Sequence, residues 1–149
     1  MRLSLLSLVI VTFVACLRDI PSRDALVGTW TVAEDSRQLL AGPLRTLALE
    51  LTLRRDGTFA AVDAPGELVY TDSPARDKPL SGTGKWAMDE TLGDHRISLS
   101  FLTVSGENNV RLPFHVDLLT SGTTMNPQLY FYRGDPDDRM IIAFVMSRH

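Results

Sequence analysis

Strict alternation of leucine with other residues is the feature that most constrains this fold. The stretch TLALELTL places four leucines at every second position, Leu47, Leu49, Leu51 and Leu53. Successive side chains of an extended strand point to opposite faces, so this period predicts a strand with one buried face. Asp56-Gly57 in the following RRDGTF predicts a two-residue turn, because both residue types tolerate positive φ. We therefore expect a β-hairpin that returns through TFAAV.

The rest of the chain carries the same kind of signal. Strand-like stretches surround Trp30, Tyr70 and Trp86, and continue through HRISLSFLTV, RLPFHVDLL, QLYFYR and RMIIAFVMS. Pro113 places its strand at an edge or a bulge. Only EDSRQLLAGPLRT suggests helix, and Gly42-Pro43 would end it after about two turns. Loops are expected at 71–83 and 120–127, where turn-forming residues cluster.

About eight short strands with almost no helix predict an all-β fold, either an antiparallel sandwich or a closed barrel. Because the hairpins follow one another in sequence, we favour an up-and-down meander that closes into a barrel with at most one short helix. Closure removes the exposed edges that an open sheet would leave.

Size and charge restrict the function classes. The chain has 149 residues, one cysteine and a net charge of −3. This length fits one domain with a hydrophobic core. Mild acidity argues against a nucleic-acid partner, whose recognition needs a basic face, and against electrostatic docking on anionic lipid. A single cysteine excludes an internal disulfide.

The first residues have the pattern of an export signal. Arg2 precedes an apolar run from Leu3 to Val14. The run is too short for a spanning helix, which needs roughly 20 apolar residues, but a positive start before a short apolar core is typical of a signal peptide. A plain cleaved signal and an uncleaved apolar tail are the alternatives to the more specific interpretation below.

Phe13-Val14-Ala15-Cys16 resembles the lipobox of bacterial lipoprotein signals, although leucine is commonest at the position of Phe13. In that family the cysteine thiol takes a diacylglycerol, the chain is cut before it, and the new amine is acylated. The resemblance implies a signal peptide at 1–15, a lipidated Cys16 with a polar tether over 16–25, and a barrel domain at 26–149. It also implies a membrane partner through the lipid. Leu17, in place of an aspartate, favours the outer membrane, facing the periplasm.

Gly28-Thr29-Trp30 resembles the G-x-W signature of lipocalin-like (calycin) barrels. That resemblance implies that Trp30 plugs the closed end and that Arg148 packs across it in a cation–π contact. The stretch LYFYRGDPDD is similar to one found in small bacterial lipocalin-like proteins. The alternative is that Trp30 is an ordinary core aromatic of another β-fold.

Metal and catalytic motifs are weak, so we expect no metal, no cofactor and no enzymatic activity. Side-chain oxygens for a calcium site could come from Asn126, Asp135, Asp137 and Asp138. Their spacing does not fit a calcium loop, which needs a central glycine and a terminal glutamate. The histidines lack the spacing of a zinc site: His95, His115 and His149. The serines form no G-x-S-x-G or S-x-x-K motif. SGTGKW also lacks the spacing of a phosphate loop.

Binding of a small apolar or amphipathic ligand is the leading hypothesis, because an eight-stranded barrel is either filled by side chains or holds one small ligand. The expected lining, or its out-of-phase neighbours, is Leu49, Leu51, Phe59, Tyr70, Leu99, Phe101 and Tyr130. An alternative is a structural or interaction protein of the cell envelope, with a filled barrel and contacts through loops 71–83 and 120–127. A third is an enzyme that uses Glu67 or Asp117, which requires a raised pKa in a cleft.

Overall fold

The computed structural model describes residues 20–68, 77–89, 95–105, 112–133, 137 and 140–147. Eight strands form one closed antiparallel barrel in chain order, with the last strand paired to the first. They are β1 (Gly28–Val32), β2 (Glu50–Leu53), β3 (Thr58–Pro65), β4 (Pro79–Asp89), β5 (Arg96–Ser105), β6 (Phe114–Gly122), β7 (Pro127–Tyr132) and β8 (Ile141–Met146). The predicted up-and-down, lipocalin-like barrel architecture is confirmed.

The predicted hairpin joins β2 to β3, but its turn is one residue longer than expected. The Arg54 N–H donates to the Thr58 carbonyl at 2.9 Å, and the Gly57 N–H donates to the Arg54 carbonyl at 3.1 Å. Gly57 has φ +82°. A turn followed by a left-handed glycine is the usual three-residue hairpin connection.

Helix is slightly more abundant than predicted. Two four-residue α-helices occur among the described residues, α1 (Arg23–Leu26) and α2 (Glu34–Arg37). Short 3-10 turns span Gly42–Thr46 and Gly66–Leu68. The second of these stands where the strand around Tyr70 was expected to begin, and Tyr70 itself lies outside the described residues.

Both predicted loops overlap strands that the structure describes. β4 already begins at Pro79, and β6 continues to Gly122, which leaves only 123–126 as the turn before β7. Pro113 directly precedes β6, so the missing N–H of proline interrupts no strand ladder. Because the barrel is closed, none of the eight described strands lies at an edge.

The core is a single hydrophobic cluster inside the barrel. Its largest fully buried side chains include Trp30, Phe59, Phe101 and Phe144. The Phe59 and Phe101 rings meet edge to face, with centroids 4.8 Å apart. Gly84 makes room for this contact, because a Cβ there would fall 2.8 Å from the Phe59 ring and onto the Ser100 carbonyl oxygen.

The closed end of the barrel is sealed by α1 and the β2–β3 turn. The Trp30 indole N–H donates to the Leu26 carbonyl at 3.0 Å, and the Trp86 indole N–H donates to the Arg54 carbonyl at 2.8 Å. Arg23 lies over the Trp86 ring, 4.8 Å from its centroid. Pro21 is buried as well. Within residues 20–25, which the sequence assigned to a polar tether, Pro21 and Arg23 therefore pack against the floor of the barrel, whereas Ile20, Ser22 and Asp24 are exposed.

The opposite end of the barrel, which we call the mouth, is covered by the connection between β1 and β2. Its apolar side chains Leu40, Leu44 and Leu49 belong to the core and are almost fully buried. Two arginines brace the backbone of this connection: Arg37 donates to the Leu47 carbonyl and Arg45 to the Leu40 carbonyl, each at 2.9 Å. We call residues 33–49 the mouth plug.

Candidate functional site

The predicted ligand-lining residues fall into three groups. Five of them are buried in the core: Leu49, Leu51, Phe59, Leu99 and Phe101. Tyr70 lies outside the described residues. Tyr130 does not belong to the core; its out-of-phase neighbours Leu129 and Phe131, which the sequence left open as the alternative, are the buried residues of β7. Its ring instead meets that of Tyr132, with centroids 5.9 Å apart.

Trp30 lies inside the barrel and has no exposed surface. The described partner of its indole is the Leu26 carbonyl, and Arg148 lies outside the described residues, as does Cys16. The cation–π contact at this end joins Arg23 to Trp86. Sequence reasoning missed that contact because Arg23 stands in the segment that was predicted to be a polar tether.

A cleft opens in the barrel wall between β6 and β7, near the mouth. The ladder between these strands covers only four residue pairs, from Leu119–Tyr130 to Gly122–Pro127. Both strands continue beyond it, β6 back to Phe114 and β7 on to Tyr132. The resulting space has a volume of about 470 Å³.

The walls of the cleft are apolar inside and polar outside. Val116 and Phe131 are core residues whose side chains also border the cleft, and Leu68 and Leu119 add partly buried apolar surface. The polar lining comes from charged, imidazole and phenol groups: Glu67, Arg96, His115, Asp117 and Tyr132. This division suits an amphipathic molecule, with its apolar part against the core and its polar part towards solvent.

A half-buried ion pair stands beside the cleft. Arg133 Nε lies 2.9 Å from Glu67 Oε2, and the two side chains are 22% and 5% exposed. Arg133 also donates to the Leu39 carbonyl. A desolvated carboxylate requires such a cationic partner. Arg133 therefore ties the end of β7 to the turn after β3 and to the mouth plug.

The outer rim of the cleft carries a second, more exposed set of polar contacts. Arg96 and Asp117 lie diagonally across β5 and β6, with a nitrogen–oxygen distance of 3.7 Å. His115 Nδ1 and Ser100 Oγ are hydrogen-bonded at 2.8 Å. Glu67 and Asp117, which the sequence suggested as candidate carboxylates, therefore line one cleft, and each contacts an arginine.

The candidate metal-ligating residues fall partly inside and partly outside the described part of the chain. Among the described residues, no group of three or more histidine, cysteine, aspartate or glutamate side chains is placed to hold a metal ion. His95 lines a different pocket, with Ile20 and Met88 at the closed end. Asp135, Asp138 and His149 lie outside the described residues. No described helix combines the length and hydrophobicity needed to cross a bilayer.

Comparison with known proteins adds no relative: no family model, curated protein or solved structure matches this chain. The class is therefore defined by the fold itself, as a closed eight-stranded up-and-down β-barrel.

Proposed function

We propose that this protein is a lipid-anchored protein of the bacterial cell envelope that binds a small amphipathic ligand in the cleft between β6 and β7. The cleft is the observation that carries this proposal. Its volume of about 470 Å³ falls within the usual range for ligand sites, roughly 300–1,000 Å³. Its apolar inner wall and charged rim match the two halves of an amphipathic molecule.

Packing of the barrel favours the cleft over the barrel axis as the binding site. Phe59, Phe101 and Leu49 occupy the interior, and the Phe101 ring also stacks on Phe114 with centroids 4.6 Å apart. The mouth plug adds Leu40 and Leu44 from above. A ligand on the axis would have to displace these side chains, whereas the cleft is open to solvent.

Anchoring rests on the lipobox resemblance at Cys16. Acyl chains contribute about 0.8 kcal/mol per buried methylene, and stable attachment takes more than one chain. Lipid modification of that kind would hold the barrel at the outer membrane, on its periplasmic side. We propose binding rather than catalysis, because Glu67 and Asp117 each have an arginine partner, which suits a structural role.

The binding proposal is tested with dansyl-undecanoic acid, an amphipathic fluorescent probe. Leu119→Glu places a charge on the apolar wall, and we expect at least about tenfold weaker binding, or 1.4 kcal/mol. Leu102→Glu is the matched control, since Leu102 is exposed on the outer wall of β5 and does not line the cleft. Equal affinities of the two variants, or no saturable binding by the unmodified protein, would contradict the proposal.

The anchor is tested separately by metabolic labelling with radioactive palmitate. The wild-type chain should incorporate the label, and the Cys16→Ser variant should not. Equal labelling of both would end the lipoprotein proposal and leave the cleft proposal standing.

A second candidate function, an interaction protein with a filled barrel, is favoured by apolar side chains exposed around the mouth. Tyr132 and Ile141 form a cross-strand pair, both 37% exposed, and Met140 precedes Ile141. A stoichiometric protein partner that is captured by the unmodified chain and lost with Ile141→Asp would support this function over ligand binding.

A further inference from the structure

The first described residue lies against the closed end of the barrel. The Ile20 carbonyl accepts a hydrogen bond from Thr124 Oγ1 at 3.4 Å. Thr124 belongs to the turn between β6 and β7, which is closed by two backbone hydrogen bonds between Thr123 and Asn126, at 3.1 and 3.3 Å. The chain that leads back to Cys16 therefore departs from this end.

One apolar side chain projects from the same turn. Met125 is 85% exposed, the most exposed of the large hydrophobic side chains in the described part of the chain. Its neighbours in the turn are uncharged, Thr123, Thr124 and Asn126. Ile20 and Val145 add exposed apolar surface at this end of the barrel.

We propose that the closed end of the barrel rests on the bilayer, with Met125 in the interfacial region, so that the mouth and the cleft face the aqueous compartment. The inference rests on lipidation of Cys16, as proposed above. Ile20 follows Cys16 by four positions in the sequence. A fully extended chain spans at most about 3.3–3.6 Å per residue, so Ile20 lies within about 14 Å of the lipidated residue.

The length of the barrel excludes the inverted orientation. β5 has ten residues, which corresponds to roughly 33 Å of strand and, with the usual tilt, to roughly 25 Å along the barrel axis. A barrel standing on its mouth would place Ile20 at about that height above the surface, beyond the reach of the tether.

Charge plays a minor part in this orientation. The closed end also carries the exposed cations Arg54 and Arg55 on the β2–β3 turn. Asp24 lies 3.9 Å from Arg55, and Asp56 stands in the same turn, so in α1 and this turn two carboxylates offset two of the three arginines, Arg23 included. The tether and the apolar contact of Met125 therefore decide which end meets the lipid.

The test uses the full lipidated chain in phosphatidylcholine vesicles that contain lipids with brominated acyl chains. Met125→Cys and Met140→Cys are labelled with the same environment-sensitive fluorophore, since an acylated Cys16 no longer offers a thiol. Met140 is the matched control because it is a partly exposed methionine at the mouth. A side chain in the interface lies about 5–10 Å into the headgroup and acyl boundary, so we expect about threefold stronger quenching at 125 than at 140.

The outcomes distinguish the proposed orientation from the proposed lipid anchor. Equal quenching at both positions, or stronger quenching at 140, in a sample whose mass shows the attached lipid would overturn the orientation alone. A mass without lipid would overturn the anchor, and the orientation with it. In a Cys16→Ser background the quenching at 125 should disappear, because one methionine does not hold the barrel on a membrane.

Discussion

The two ends of this barrel are closed by different kinds of contact. At the closed end, Trp30 donates to a carbonyl only four residues earlier, that of Leu26. At the mouth, Arg133 contacts the Leu39 carbonyl across 94 positions of sequence, and the Ala143 N–H donates to Ser36 Oγ across 107. Trp30 can thus find its partner locally, whereas these two contacts at the mouth form only when β7 and β8 are in place.

The two ends also differ in the interactions that stabilise them. The closed end combines buried aromatic rings with hydrogen bonds between neutral groups. The mouth combines leucines with a partly exposed ion pair. The charged contacts of the closed end are the Arg23–Trp86 cation–π contact and the exposed Arg55–Asp24 pair. The closed end should therefore depend mainly on packing, and the mouth on packing plus the Glu67–Arg133 ion pair, and substitutions at each end test this distinction.

The largest effect is expected at the closed end, for Trp30→Ala. Truncation of a fully buried tryptophan costs about 3–5 kcal/mol through lost burial and the cavity left behind. The free energy of unfolding from urea titration measures it. Tyr132→Ala is the control, because Tyr132 is partly exposed at the mouth, and similar losses for both variants would contradict the interpretation.

Leu44→Ala should come next, at about 3 kcal/mol, since Leu44 is a fully buried residue of the mouth plug. Hydrogen exchange sharpens the comparison between the two ends. Amides of the mouth plug should exchange faster in the variant, whereas the indole N–H groups of Trp30 and Trp86 should keep their protection. Equal acceleration at both ends would show that they do not open independently.

The Glu67–Arg133 pair should have a smaller but measurable coupling. A double-mutant cycle with Glu67→Gln and Arg133→Met should give about 2 kcal/mol, less than for a fully buried pair because Arg133 is partly exposed. The same cycle on Arg96 and Asp117 should give less than about 1 kcal/mol, since Asp117 is half exposed. A larger coupling for the second pair would reverse our ranking.

The smallest effect concerns pH and lies at the closed end. Hydrogen bonds from the Thr58 hydroxyl and N–H hold the pKa of Asp56 below its ordinary value of 3.8. A lowered pKa in the folded state gives stability that is present above the unfolded-state pKa and is lost as the pH falls through the folded-state pKa.

As the pH falls from about 5 to about 2, the range in which aspartate titrates, the free energy of unfolding should therefore decrease slightly less for Asp56→Asn than for the wild-type protein. Urea titration at a series of pH values measures this difference. Thr58→Val should have a similar but weaker effect, because it removes the hydroxyl donor alone. If neither substitution changes the loss of stability at low pH, this role for Asp56 would be contradicted.

Sequence patterns predicted the strands well where alternation was clear and poorly where it was not. Leu51 and Leu53 alternate with polar residues, and their buried face was predicted correctly. Leu129, Tyr130, Phe131 and Tyr132 are all apolar or aromatic, so the sequence left two phases open for this strand. The structure buries Leu129 and Phe131 rather than Tyr130. The length of the β2–β3 turn depended on which of its residues takes the left-handed conformation.

The candidate site was only partly predictable. Glu67 and Asp117 were singled out as carboxylates, but their arginine partners were not, because Arg133 and Arg96 reach them across other strands. The cleft depends on where the β6–β7 ladder ends, and no local pattern records where a ladder stops.

The sequence by itself determined the all-β class, the number of strands and the meander order, because alternation and turn chemistry are properties of neighbouring residues. Tertiary structure decided how the barrel is filled, which residues seal its two ends and where a cleft opens. Those features depend on contacts between distant residues, and such contacts exist only after the eight strands have closed into one sheet.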